Sequence, residues 1–185
     1  MTLIKSISGI RGTIGNIAGD NLTPIDIVKF TSAFGIWSAK QSEDPKKKIV
    51  VGRDARLSGE MVENLVTGTL LGLGFDVVSL GMATTPTVEL AVEEEYAHGG
   101  IIITASHNPK EYNALKLLNA QGEFLNAEEG EEVLILAENK GITYAEVDQL
   151  GQKFEREYLG KHIQKILDLP LVEKKKISKA KLKVV

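Results

Sequence analysis

Three apolar, β-rich stretches, "KKIVVGRD" (47–54), "FDVVSLG" (75–81) and "GGIIITAS" (99–106), are each long enough for one strand and are separated by segments with helical spacing. Strands that alternate with helices bury both faces of a sheet, so the pattern predicts an α/β fold: a three-layer α/β/α sandwich with a mixed, mainly parallel sheet. Thr23 is placed to cap a helix with Pro24 at its first position and Ile27, Val28, Phe34 and Trp37 on its apolar face, running to about Lys40. A second helix is expected from Ser58, with Met61, Val62, Leu65, Val66 and Leu70 at helical spacing and Gly72 and Gly74 ending it. A third repeats the Thr-Pro start at Thr85 and Pro86 and runs to about Ala97.

Beyond residue 106 the pattern changes. "NALKLLNAQGEFLN" reads as a strand, a turn near Gly122 and a short return strand, which makes the sheet mixed. Asn126 is expected to cap a helix whose first turns hold Glu128, Glu129, Glu131 and Glu132, the charge sign that a helix N-terminus favours. A longer helix is expected from about Ala145 to Leu167, stopped by Pro170. The last residues, Leu182, Lys183, Val184 and Val185, read as the opening of a further strand. Residues 1–144 are therefore assigned to one domain, and 145–185 to a linker helix with the truncated start of a second.

Charge and composition then exclude several function classes. Lys and Arg total 22 against 25 Asp and Glu, a net charge of −3, so no global field favours nucleic acid. The lysines between 174 and 183 carry no interleaved aromatics and read as a solvated linker. The absence of cysteine removes disulfides, thiolate metal sites and cysteine nucleophiles. No apolar run approaches the roughly 20 residues that span a bilayer, and "MTLIKSISGIRG" lacks the apolar core of a signal peptide. The expectation is a cytoplasmic protein without a membrane partner. His98 and His162 have no second ligand at metal spacing and are expected on the surface.

Function has to be read from a local site, and the end of the third apolar stretch offers one. Ligands of open α/β sheets bind beyond the carboxyl ends of the strands, where "IIITA" gives way to Ser106, His107 and Asn108. A serine hydrolase is disfavoured, because adjacent residues rarely let an imidazole turn back onto the hydroxyl and no G-x-S-x-G elbow surrounds Ser106. A serine that carries a phosphoryl group instead needs donors and positive charge around three oxygens. His107, Asn108 and Lys116 can all donate; Lys116, between Leu115 and Leu117, faces away from those leucines if the segment is a strand. "SGIRGTIG" sets Arg11 between Gly9 and Gly12, in a loop whose backbone could come close to a ligand. "VGRDARLSG" puts Arg53, Asp54 and Arg56 in another loop at the same sheet edge, foremost as loop-building ion pairs.

These residues carry a resemblance. "SGIRG", "VGRDARLSG" and above all "TASHNPKEYNALKLLN" resemble the N-terminal domain of the α-D-phosphohexomutases, the family of phosphoglucomutase, phosphomannomutase and phosphoglucosamine mutase, over about residues 3 to 135. The resemblance implies that Ser106 is phosphorylated, gives its phosphoryl group to a hexose phosphate and recovers one from a bisphosphate intermediate. It further implies that Arg11 and Lys116 act in acid/base chemistry and charge stabilisation, with His107, Asn108 and Thr104 holding the loop. A Mg²⁺ ion bound through the phosphoserine is also implied, but its Asp-Gly-Asp partner loop belongs to the family's next domain, and this chain contains no Asp-x-Asp cluster. The chain then reads as one piece of a larger mutase, inactive alone, whose partners are a hexose phosphate and the remaining domains. The alternative is a non-catalytic phosphate- or sugar-phosphate-binding module built on Arg11 and the serine loop. Glucose, mannose and glucosamine phosphates all stay open, with a glucose/mannose type placed first.

Overall fold

In the computed structural model, which describes residues 1–6, 9–139 and 141–183, the chain forms the strands β1 (Ile4–Ser6), β2 (Gly9–Thr13), β3 (Lys48–Arg53), β4 (Asp76–Met82), β5 (Gly99–Ile103), β6 (Tyr112–Leu118) and β7 (Lys153–Glu155). The helices are α1 (Pro24–Lys40), α2 (Gly59–Gly72), α3 (Thr85–Glu94), α4 (Ala127–Ala137), α5 (Leu159–Asp168) and α6 (Lys174–Ala180). The strands make one mixed sheet in the order β1-β2-β6-β5-β3-β4-β7. From β5 to β7 the pairings are parallel, and from β1 to β5 they are antiparallel.

Both faces of the sheet are covered, which is why β5 is buried along its whole length. Phe30, Phe34 and Trp37 of α1, Val62, Val66 and Leu70 of α2, and Val133 of α4 pack on Ile49, Val51, Ile101, Ile103, Leu115 and Leu117. On the opposite face Val88, Ala91 and Val92 of α3 meet Val50, Val78, Ile102 and Leu118. This is the three-layer α/β/α sandwich expected from the alternation of elements. Gly52 marks how closely α3 approaches: a methyl group there would sit 2.5 Å from Val88 Cγ2.

Local signals hold where they are strongest. Thr23 and Asp26 form a capping box with Pro24 in the first turn, and Asn126 and Glu129 do the same at α4. Helix α3 stops earlier than expected, since Tyr96 has a left-handed φ of 51° that ends the helix before Ala97. Met61 is exposed, while Glu63 is buried because it pairs with Arg53 and accepts from Ser79. The return strand after Gly122 is a single bridge between Leu118 and Phe124.

Other expectations fail. The helix expected from Ala145 is instead a 3-10 turn at Val147–Gln149, the strand β7, and only then α5. Gly151 lies where a side chain would strike Phe75 O, and Lys153 to Glu155 continue in parallel register beside Val77 to Ser79, so sheet pairing overrides helical spacing there. His98 is buried, only 6% exposed, with Nδ1 accepting from Lys48 N at 3.3 Å and the ring edge-on to Phe75. His162 is half-buried and its Nδ1 lies 2.9 Å from Thr87 Oγ1, which ties α5 to α3. Of the expected terminal strand, Leu182 is exposed and in no strand, while Val184 and Val185 lie outside the described residues.

Candidate functional site

The antiparallel half of the sheet fixes where the cations stand. Arg11 pairs with Ala114, and Ile102 with Lys116, so Arg11, Lys116 and Thr104 share one face of the sheet, opposite Leu115 and Leu117. Arg11 and Lys116 are diagonal cross-strand neighbours, a placement that sets backbones about 7–8 Å apart and leaves long side chains in reach of one ligand. Arg11 is thus on a strand and not, as expected, in a loop. Gly9 and Gly12 serve packing: a methyl group at Gly9 would strike Leu115 O, and one at Gly12 would lie 3.0 Å from Leu22 N. Lys116 Nζ lies 5.7 Å from the centre of the Phe124 ring, and no hydrogen bond joins it to Ser106 among the described residues.

β5 ends at Ile103, and the chain turns through Thr104 to Glu111 before entering β6. Ser106 sits at the crest, exposed, with a left-handed φ of 53°. A residue with a Cβ adopts that conformation only under local constraint. The constraint is visible: Thr104 Oγ1 accepts from Ser106 N at 3.1 Å and donates to Asp54 Oδ2 at 2.6 Å. Arg56 donates to the Ser106 and Asn108 carbonyls at 2.8 and 2.7 Å, and to the Pro109 and Tyr112 carbonyls at 2.8 and 2.9 Å. Arg11 Nη1 donates to Asn108 Oδ1 at 3.1 Å.

The imidazole of His107 does turn back, with Nδ1 3.4 Å from Ser106 Oγ, the long limit of a hydrogen bond. No carboxylate bonds its other nitrogen among the described residues, so no hydrolase triad forms. Three segments converge: Ser106, His107, Asn108, Thr104 and Arg11 come together with Asp54 and Arg56, while Lys116 stands on the shared face and has no hydrogen bond to the serine among the described residues. Arg53 turns its Nε to Glu63 at 2.8 Å, one of the loop-building ion pairs expected of "GRDAR", and its Nη1 donates to Asp54 O at 3.2 Å. A cavity of about 580 Å³, walled by Arg53, Asp54, Thr104, Leu80, Met82 and Tyr158, opens beside the loop at the carboxyl ends of the parallel strands. Sequence reasoning missed that Arg56 spends itself on the serine loop; its only signal was a second arginine two residues beyond Asp54.

Among the described residues no three His, Cys, Asp or Glu side chains converge on a point that could hold a metal ion. No helix is long and apolar enough to cross a membrane among the described residues.

Known proteins share this sequence pattern and this fold. The family model described as phosphoglucomutase/phosphomannomutase, alpha/beta/alpha domain I, matches residues 4–141. A phosphoglucomutase/phosphomannomutase of Thermococcus kodakarensis is 34% identical over 171 residues, 91% of this chain and 36% of that protein. A phosphoglucosamine/phosphogalactosamine mutase of Sulfurisphaera tokodaii is 36% identical over 80% of this chain and 31% of its own length. A phosphoglucosamine mutase of Helicobacter pylori is 34% identical over 77% of the chain and 31% of its own. The chain therefore spans about a third of these relatives. Among solved structures, a phosphoglucomutase/phosphomannomutase family protein from Burkholderia thailandensis superposes with a TM-score of 0.71 at 23% identity, over 89% of this chain and 36% of that one.

Proposed function

Because this chain belongs to the phosphoglucomutase/phosphomannomutase family, as its domain I, we propose that Ser106 is the phosphoryl carrier of a mutase that interconverts hexose 1-phosphate and hexose 6-phosphate through a bisphosphate intermediate. The observation that supports this most directly is Ser106 itself: an exposed hydroxyl at the crest of a left-handed turn whose backbone is tied down on both sides. Phosphoryl transfer asks mainly for positioning and for charge to meet the moving oxygens.

In this reading a sugar hydroxyl oxygen gives up its proton and attacks the phosphorus on Ser106, the bond from phosphorus to Oγ breaks, and Oγ takes up a proton in its place. The bisphosphate turns over in the cleft; Oγ then gives up its proton and attacks the other phosphorus, the bond from that phosphorus to the sugar oxygen breaks, and the sugar oxygen leaves as a hydroxyl by taking up a proton. Arg11, with one nitrogen on Asn108, stabilises charge, and Lys116 on the same face supplies charge or a proton. His107, Asn108 and Thr104 hold the loop. A Mg²⁺ ion would take Ser106's phosphate as its one ligand from this chain and neutralise phosphate charge; its remaining ligands would come from elsewhere in the protein.

Three further points belong to the same proposal. Residues 1–144 act as the serine-bearing domain, with β7 of the following segment paired to its sheet, and the 185 residues alone do not turn over substrate. The hexose is of the glucose/mannose type, with glucosamine the closest competitor, following the names of the relatives at similar identity. The setting is cytoplasmic.

Mass spectrometry of peptides from the full-length protein, after exposure to glucose 1,6-bisphosphate and Mg²⁺, tests the reading. One phosphoryl group on the Ser106 peptide, absent in Ser106→Ala and lost when hexose monophosphate is added, is expected. An unmodified Ser106 with glucose, mannose and glucosamine bisphosphates alike would replace the mutase with the phosphate-binding module.

A further inference from the structure

We propose that Arg56 is a positioning residue that sets the left-handed conformation of Ser106, and that it does not bind the phosphoryl group. Its catalytic consequence rests on Ser106 being the carrier; its structural content does not.

A guanidinium has five N–H donors in a fixed plane. Both donors of Nη1 are occupied, by the Pro109 carbonyl at 2.8 Å and the Tyr112 carbonyl at 2.9 Å. Both donors of Nη2 are occupied, by Ser106 O at 2.8 Å and Asn108 O at 2.7 Å. The remaining one, on Nε, makes no hydrogen bond but lies 3.3 Å from Asp54 Oδ2 as an ion pair, and the side chain is only 12% exposed. A phosphate could recruit Arg56 only by stripping it from these carbonyls, each of which would lose its partner. Arg11 is the opposite case, since it gives a single nitrogen to Asn108 Oδ1 and none of its other donors has a protein partner among the described residues.

The clamp is closed through Asp54. On the N–H side of Ser106, the amide donates to Thr104 Oγ1, and Thr104 donates to Asp54 Oδ2. On the carbonyl side, Ser106 O accepts from Arg56, which faces the same Asp54 Oδ2, while Arg56 N donates to Asp54 Oδ1 at 3.0 Å. Both peptide groups flanking Ser106 are thereby referred to one carboxylate at the end of β3. A ring of this kind supplies the over-determination that a φ of 53° at a serine requires. It fixes the direction of Oγ before any ligand arrives, which is the property a phosphoryl carrier needs. Lysine cannot replace arginine here, because one ammonium offers donors from a single point and cannot span four carbonyls.

The test uses the full-length protein with Arg56→Lys, and Arg11→Lys for comparison. Hydrogen exchange of residues 104–112 and single-turnover phosphorylation of Ser106 by glucose 1,6-bisphosphate are followed together. Arg56→Lys should speed loop exchange by about tenfold or more without changing the rest of the sheet, and slow phosphorylation by at least about thirtyfold with the concentration for half-maximal rate kept within about threefold. Arg11→Lys should leave loop exchange unchanged and raise that concentration. Unchanged exchange in Arg56→Lys, or a raised half-saturation with the maximal rate kept, overturns the proposal. If wild type accepts no phosphoryl group while Arg56→Lys still loosens the loop, the mutase reading fails and the clamp stands. If Arg56→Lys melts as a whole, Thr104→Val breaks the N–H side of the same ring and must loosen the loop selectively; if it does not, the ring is not what holds Ser106.

Discussion

Arg11 donates from Nη1 to Asn108 Oδ1 at 3.1 Å across 97 residues of sequence, and so joins the antiparallel edge of the sheet to the serine loop. The contact is neutral on the loop side, which leaves the guanidinium charge available to a ligand. Asn108→Asp would turn it into a charge-assisted pair and place a carboxylate two residues from Ser106. Phosphorylation of Ser106 should slow by about tenfold or more, because the arginine is partly neutralised and the new charge repels the incoming phosphate. Folding stability should move by no more than about 0.5 kcal/mol, the range of a surface change. Single-turnover labelling and a urea midpoint check the two halves; a variant that labels at the wild-type rate would show that Arg11 does not meet the phosphate.

Three glycines should respond to alanine in opposite directions. At Gly68, inside α2, the added methyl meets nothing within 4 Å, so Gly68→Ala should stabilise by up to about 1 kcal/mol through helix propensity. At Gly52 it would lie 2.5 Å from Val88 Cγ2, and Gly52→Ala should cost about 1–3 kcal/mol as α3 is pushed off β3. Gly9→Ala should cost most, since the methyl meets the carbonyl of Leu115, a backbone group that cannot turn aside, at a φ of 117°. Thermal unfolding of the three variants gives the order, and a stable Gly9→Ala would contradict the β2–β6 packing described above.

Tyr158 anchors the segment that follows β7. Its ring is buried on the α3 side of the sheet, and its hydroxyl donates to Glu95 Oε1 at 2.7 Å. Burial, followed by that hydrogen bond, pushes the phenol well above its ordinary range. Burial alone would raise Glu95 as well, but the bonds from Tyr158 and Lys48 outweigh it and hold the carboxyl below its ordinary value. Tyr158→Phe keeps the ring and removes one bond to a charged acceptor, so it should cost about 1.5–3 kcal/mol. Proteolysis should then cut first between 156 and 170, ahead of the rest of the sheet.

What could be read from sequence was what local chemistry decides. Thr23-Pro24 and Asn126 start their helices because a cap needs only a hydroxyl or amide and a good neighbour. β3, β4 and β5 are legible because strands buried on both faces have to be apolar throughout. Residues 145–158 misled because their fate is set by a distant partner: the free edge of β4 takes Lys153 to Glu155 as a strand, and no local residue announces that. The site divided the same way. "TASHNP" marked the loop, while the use of Arg56 depends on four carbonyls brought within reach by the turn itself. A side chain that bonds to backbone leaves no residue-type pattern to find.

His98 makes stability depend on pH in a window where few other groups titrate. Burial, its first cause, holds the imidazole below its ordinary value of 6.5; the carboxylate of Asp44 opposes this and the ammonium of Lys47 adds to it. Nδ1 already accepts from Lys48 N, so the neutral ring keeps its proton on Nε2, and protonation would break the bond that ties β5 to β3. The unfolded chain therefore binds a proton at a higher pH than the fold does. Between 6.5 and the lowered value, stability falls as pH falls, and below the lowered value this contribution is flat. Glu95 acts later and in the same direction: its carboxylate stabilises the fold above its ordinary value of 4.5, and that stabilisation is lost as pH drops below it. Urea midpoints measured from pH 7.5 downward should decline in two stages, and His98→Gln, which cannot titrate, should abolish the upper one alone. An upper stage that survives in His98→Gln would assign it to another group and leave His98 a packing residue only.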